Sequence, residues 1–139
     1  MKITRFEDIE AWQIGRDLCR SVYDAVKKEK FSKDYGLKDQ ICRASVSIMA
    51  NIAEGFDAGS RAEFIRFLVY AQRSASELQS EIYVALDQNY ISRNEFDAIY
   101  SIADKARSKI GAFIKYLKQR TKIEEPRTQN NEQGTKKND

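Results

Sequence analysis

Hydrophobic residues recur at steps of three and four in four segments of the chain, a spacing typical of helices with one apolar face. The third segment has the stripe Phe64, Phe67, Ala71, Ala75, Leu78, Ile82 and Ala85, and the fourth has Phe96, Ile99, Ala103, Ala106, Ile110, Phe113 and Leu117. The first carries Ile9, Trp12, Cys19, Val22 and Val26 beside Ala11, Ile14, Leu18 and Ala25. The pattern predicts an all-α fold.

Capping signals predict where these helices begin. Ser60-Arg-Ala-Glu63 and Ser92-Arg-Asn-Glu95 both match a capping box, so the third and fourth helices should start there. Gly36 is predicted to separate the first two helices, and the second is predicted to run from about Leu37 to Gly55, where a glycine-containing stretch follows. The short connections predict an antiparallel up-down-up-down four-helix bundle.

The two ends of the chain differ in their capacity to form a core. Residues 1–120 carry the four periodic segments and are predicted to form one bundle domain. Residues 121–139 contain a single aliphatic residue, Ile123, and bury too little apolar surface to offset chain entropy. We therefore predict a mobile polar tail after the bundle.

The second predicted helix has two apolar faces. The core face comprises Leu37, Ile41, Ala44, Ile48 and Ile52. The other face comprises Cys42, Val46, Met49, Ala50 and Ala53. Because a bundle helix normally leaves about half of its circumference to water, the second face predicts an oligomer interface with another copy of the chain. The alternative is a thick core that buries this helix on all sides within one chain.

A narrow polar row lies between these two faces and is interpreted as a hydrogen-bonded seam. It comprises Gln40, Arg43, Ser47, Asn51 and Glu54. Arg43 and Glu54 would find complementary groups there, so that neither is buried unpaired. Acceptors would come from the third helix, where Glu63, Ser74 and Glu77 follow one row with Tyr70 and Glu81. The alternatives are a ligand or partner contact for the first row and a solvated face for the carboxylates.

The chain contains no histidine, which excludes Ser-His and Cys-His nucleophiles, the common zinc sites and the Glu-x-x-His pairs of helical di-iron proteins. Glycine-rich phosphate loops are also missing from the sequence. We therefore expect no enzymatic activity, no catalytic residue, no metal and no cofactor. The two cysteines are predicted to be reduced thiols of a cytoplasmic protein with no membrane contact.

Positive charge is concentrated in the last helical segment. The net charge is only +3, but residues 105–123 include seven basic residues and no acidic one. One hypothesis is a sequence-tolerant electrostatic contact with RNA or DNA. It would use Arg107, Lys115, Lys118, Arg120 and Lys122. The alternative is that cations near the carboxyl end of a helix complement its dipole and keep an oligomer soluble.

Two stretches of sequence carry a family resemblance. YGLKDQICRASVSIMANIAEGF, which begins at Tyr35, and SRAEFIRFLVYAQRSASELQSEI, which begins at Ser60, resemble proteins encoded within intervening sequences of bacterial 23S rRNA genes. This resemblance implies a ring-shaped homopentamer of antiparallel four-helix bundles with no known enzymatic activity. Relatives of that fold act as accessory proteins of diversity-generating retroelements, where a basic pentamer associates with a reverse transcriptase and with nucleic acid.

Some positions depart from the family pattern. The family usually has an arginine where Cys42 stands, another near Ala58, and a glycine where Arg73 stands. The two missing cations argue against nucleic-acid binding by the second helix and favour the basic end of the fourth. Two function hypotheses follow: a homo-oligomeric scaffold for a protein or RNA-protein partner, and a nucleic-acid-binding accessory protein of a reverse transcriptase.

Overall fold

The computed structural model describes the backbone of residues 2–138 and the side chains of residues 2–120, and all regular structure in this range is helical. A 3-10 turn at Phe6–Asp8 precedes five α-helices. These are α1 Glu10–Val26, α2 Glu29–Lys33, α3 Tyr35–Asp57, α4 Arg61–Asp87 and α5 Arg93–Asn138. The all-α prediction is confirmed. The predicted mobile tail, 121–139, lies outside the residues whose side chains are described and stays a prediction.

Neighbouring long helices run antiparallel, as contacts along their lengths show. Ser45 of α3 lies opposite Cys19 of α1, and Ser47 of α3 lies opposite Ser74 of α4. The α4–α5 contact joins Gln79 to Tyr100 and Gln72 to Arg107. Ion pairs between Glu10 and Lys109 and between Lys28 and Glu95 close the α1–α5 side. Gly15 lies against Ile48, and Gly55 lies against Phe67, so along each of the four pairs residue numbers rise on one helix and fall on the other. The four long helices therefore form an up-down-up-down bundle.

The core follows the predicted stripes closely in α3 and less closely at one end of α4 and α5. Leu37, Ile41, Ala44, Ile48 and Ile52 are all buried. Phe64, Phe67 and Phe113, which were expected to face the core, are only partly buried, whereas the neighbouring Leu68 and Ile114 are buried. The rings of Phe64 and Phe113 instead meet edge to face, with centroids 5.2 Å apart, at the margin of the core.

Both predicted capping residues cap their helices. Ser60 Oγ accepts the Glu63 backbone N–H at 3.1 Å, and Ser92 Oγ accepts that of Glu95 at 3.1 Å. The box is complete at Ser92, whose own N–H donates to Glu95 Oε1 at 2.9 Å. At Ser60 the second bond is replaced, because the Glu63 carboxylate pairs with Arg66 at 2.6 Å.

The predicted boundary at Gly36 is wrong. Gly36 lies in the first turn of α3, and the short helix α2 occupies the connection from α1. Asp34 is the N-cap of α3, since its Oδ1 accepts the Leu37 N–H at 3.1 Å. Its other carboxylate oxygen accepts the Tyr90 hydroxyl at 2.9 Å. The side chain that starts α3 therefore also ties it to the α4–α5 connection.

Candidate functional site

The outer face of α3, which comprises Cys42, Val46, Met49, Ala50 and Ala53, lies at the edge of the bundle, and its Cys42 packs against the margin of the core. Val46 is 43% exposed and Ala50 is exposed, while Cys42, Met49 and Ala53 are partly buried. The core side of α3 is filled by α1 and α4, which leaves this face at the surface. A thick core that encloses α3 on all sides is therefore not formed by the described part of the chain.

The centre of the polar row joins α3 to α4. The hydroxyls of Ser47 and Ser74 lie 2.9 Å apart, and the Asn51 side-chain amide donates to the Ser47 carbonyl at 2.8 Å and to its hydroxyl at 2.9 Å. These three side chains are partly buried, so each satisfied polar atom avoids a desolvation penalty. This part of the row has the geometry of a seam.

The ends of the row lie in a different environment from its centre. Arg43 Nε donates to Asp39 Oδ2 at 2.9 Å, within the same helix, and both side chains are exposed. Arg43 and Glu54 are eleven residues apart on α3, which places them roughly 16 Å apart along the helix axis and excludes direct contact within one chain. Gln40 and Glu54 are exposed, and Glu63 pairs with Arg66.

Glu77 and Glu81, which the sequence placed in one row on this helix, form a carboxylate pair on α4 that was not predicted as a pair. Glu81 Oε1 is buried and has no hydrogen-bond partner among the described residues. Burial raises the pKa of Glu81 to about 7, and the nearby charge of Glu77 and its hydrogen bond contribute in the same direction. The like-charged residues four positions apart were the available signal.

The structure describes the side chains of four of the five candidate nucleic-acid contacts, and these four lie in different environments. Lys115 and Lys118 are exposed and border a shallow depression of about 340 Å³. Arg120 is exposed and donates to the Tyr116 hydroxyl at 3.2 Å. Arg107 is partly buried against α4, where it donates to Gln79 Oε1 at 3.0 Å. Lys122 lies outside the residues whose side chains are described.

The family described as "23S rRNA-intervening sequence protein" matches residues 7–112, which include α1 to α4 and the first part of α5. The chain belongs to this family. The resemblance found in the sequence is thereby confirmed for about three quarters of the chain. Among curated proteins, none matches it.

One solved structure is similar to this intervening-sequence family member over most of its length. It is a protein of unknown function from the S23 ribosomal protein family of Bacteroides thetaiotaomicron, with 26% sequence identity and a TM-score of 0.70. The match covers 76% of this chain and 98% of that chain. In the described part of our chain, no helix is long and apolar enough to cross a membrane.

Proposed function

We propose that this intervening-sequence family member is a non-enzymatic, homo-oligomeric scaffold of the cytoplasm that presents several copies of the bundle to a protein or RNA-protein partner. The observation that carries the proposal is the outer face of α3. Small and apolar side chains follow each other there for three helical turns, and Val46 and Ala50 are exposed in the single chain.

Association of copies through this face has a clear driving force. Exposed apolar side chains in a contiguous row gain free energy when another surface excludes water from them, and small residues such as Ala50 and Ala53 allow a second helix to approach closely. Charged residues flank the row at Arg43 and Glu54, so the face has an apolar centre and a polar rim. A closed ring of five copies, as the family resemblance implies, is the arrangement we expect.

Light scattering on the wild type and two glutamate variants tests the assembly. Val46→Glu places a charge in the outer face of α3, whereas Val84→Glu is a matched control, because Val84 of α4 is 45% exposed and Val46 is 43% exposed. We expect the wild type and Val84→Glu to be oligomers and Val46→Glu to be a monomer. A wild-type mass near 16.1 kDa at micromolar concentration contradicts the proposal.

A nucleic-acid-binding function, as an accessory protein of a reverse transcriptase, is the second candidate. The observation that favours it is the pair of exposed lysines, Lys115 and Lys118, side by side on α5. Between residues 93 and 120 this helix has seven basic and three acidic residues, so it carries the positive excess of the bundle. Repetition of the pair in an oligomer multiplies the local charge available to phosphates.

Titration of labelled structured RNA and duplex DNA at two salt concentrations tests this candidate. Each phosphate contact that is removed should lower the slope of log affinity against log salt by about 1, so Lys115→Gln and Lys118→Gln should each bind more weakly and with less salt dependence. Lys30→Gln, an exposed lysine of α2, is the control. Absence of binding at low salt, or binding that is indifferent to both lysines, leaves the scaffold function alone.

A further inference from the structure

Cys19 of α1 and Cys42 of α3 lie on facing sides of the α1–α3 contact, and both are partly buried free thiols. Ser45 connects them, since its hydroxyl lies 3.5 Å from Cys19 Sγ and donates to the Cys42 carbonyl at 2.8 Å. Tyr23, one turn beyond Cys19 on α1, is hydrogen-bonded to the Cys42 thiol. The two sulfur atoms therefore occupy adjacent turns of facing helices.

The backbones of α1 and α3 approach each other closely near Gly15, one turn from Cys19. One turn before Cys19, a Cβ atom added to Gly15 would lie 3.2 Å from Ile48 Cγ2 and 3.7 Å from the Met49 backbone nitrogen. A disulfide requires its two Cα atoms to lie about 4.4 to 6.8 Å apart, a spacing that helices reach only when small residues permit close packing. Gly15 permits such close packing of α1 and α3 one turn from Cys19.

Solvent reaches Cys42 from one side. Cys42 borders an open groove of about 660 Å³ between α1 and the start of α3. The groove is also lined by Tyr23, Tyr35, Gly36, Lys38 and Asp39. The phenol rings and charged groups that line the groove are compatible with a polar reagent.

We propose that Cys19 and Cys42 form a reversible intrachain disulfide by exchange with a small-molecule disulfide such as oxidised glutathione. One protein thiolate attacks the reagent, forms a mixed disulfide and releases one small thiol. The other protein thiolate then attacks the mixed disulfide and releases the second small thiol. Two protein thiols are oxidised to one disulfide, and one small disulfide is reduced to two thiols.

The environment of Cys42 sets the pH dependence of this exchange. Burial raises the pKa of Cys42, although the Tyr23 hydrogen bond opposes part of that effect. The reactive thiolate is therefore scarce at neutral pH, and the rate of closure should rise with pH up to and beyond 9. Closure links α1 to α3 covalently.

Intact-mass spectrometry and thiol titration test the disulfide on the full-length protein after incubation with oxidised glutathione. We expect the mass to fall by two hydrogen atoms, both thiols to be lost, and both changes to be reversed by a reducing agent. Cys19→Ser and Cys42→Ser are the controls, and each should stop at a mixed disulfide with glutathione.

The same reaction on Val46→Glu separates this inference from the proposed assembly. In an oligomer of the wild type, neighbouring copies would cover Cys42, whereas Cys42 stays accessible in the monomeric variant. Closure in either protein supports the inference, and the wild type reacting more slowly than Val46→Glu is the expected order if the outer face of α3 is covered. Persistence of both thiols, two glutathione adducts on one chain, or only interchain cross-links in both proteins would overturn it.

Discussion

At the scale of single residues, Glu81 of α4 makes the stability of the fold depend on pH. Its pKa is raised from 4.5 to about 7, so between these values the folded chain holds a proton that the unfolded chain has released. The free energy of unfolding should therefore fall as the pH rises through this window. Because Glu81 is only partly buried, screening by water reduces the effect to about 1 kcal/mol.

Urea unfolding at pH 5 and pH 8 measures this dependence. Glu81→Gln should abolish the loss of stability between the two pH values that Glu81 causes, and should make the protein more stable than the wild type at pH 8. Glu77→Gln should leave a smaller residual dependence, because it removes the neighbouring charge but not the burial. An unchanged pH profile in Glu81→Gln would show that Glu81 does not titrate in this range.

Gly55 is the residue at which α3 and α4 approach most closely among the described glycines. A Cβ atom there would lie 2.8 Å from Phe67 Cβ and 2.9 Å from Phe64 Cδ1, so the two helices would have to separate. We expect Gly55→Ala to destabilise the fold by about 1 to 3 kcal/mol, as overpacking does. Chemical unfolding measures the change.

Gly36 supplies the matched control for that substitution. A Cβ atom there meets only Asp34 Oδ1, at 3.9 Å, and the residue lies in the first turn of α3. Gly36→Ala should therefore stabilise the protein by roughly 0.5 to 1 kcal/mol through a smaller loss of backbone entropy. Equal effects of the two alanine substitutions would contradict the close contact at Gly55.

At the scale of secondary-structure elements, Ser47 and Ser74 join α3 to α4. A double-mutant cycle with alanine at both positions should give a coupling energy of about 0.5 to 1.5 kcal/mol, because each hydroxyl is the partly buried partner of the other. The same cycle on Arg43 and Glu54 should give no coupling in a monomeric variant such as Val46→Glu. Coupling between Arg43 and Glu54 that occurs only in the oligomeric wild type would indicate contact between copies.

The core-facing residues of a helix can be predicted from the sequence where the helical period of its apolar residues alone determines which of them are buried. The core stripe of α3 was predicted completely, since its five apolar residues recur with helical period and lie under two neighbouring helices. The phenylalanines of α4 and α5 were not, because Phe64 and Phe113 are large enough to fill the margin of the core while smaller neighbours enter it. Periodicity identifies the face of a helix that is directed toward the core. It does not show which of two neighbouring apolar residues on that face is buried.

The partners of long polar side chains are harder to predict from the sequence, because they depend on which residues the fold brings close together. Arg107 belongs to the basic run of α5, yet it reaches Gln79 on α4, a contact that no local spacing indicates. Arg43 selects Asp39, one turn away, and not a partner across the seam. Lys115 and Lys118 are exposed, but their contact with nucleic acid stays a prediction.

At the scale of the whole molecule, association through the outer face of α3 makes stability depend on protein concentration. If copies bind only when folded, the unfolding temperature should rise with total concentration for the wild type and for Val84→Glu. The unfolding temperature of Val46→Glu should stay constant. Thermal unfolding followed by circular dichroism at concentrations about 100-fold apart measures this, and a constant wild-type value would indicate that folding is independent of assembly.

The connection between α3 and α4 has a consequence for the order of folding. Only residues 58–60 separate the two helices, so their contact closes a short loop and costs little chain entropy, whereas α1 and α5 are far apart in the sequence and close a long loop when they meet. The α3–α4 hairpin is therefore the expected nucleus of the folding reaction. Substitutions at Ser47 and Ser74 should slow folding. Substitutions that remove the ion pair between Glu10 and Lys109 should mainly speed unfolding.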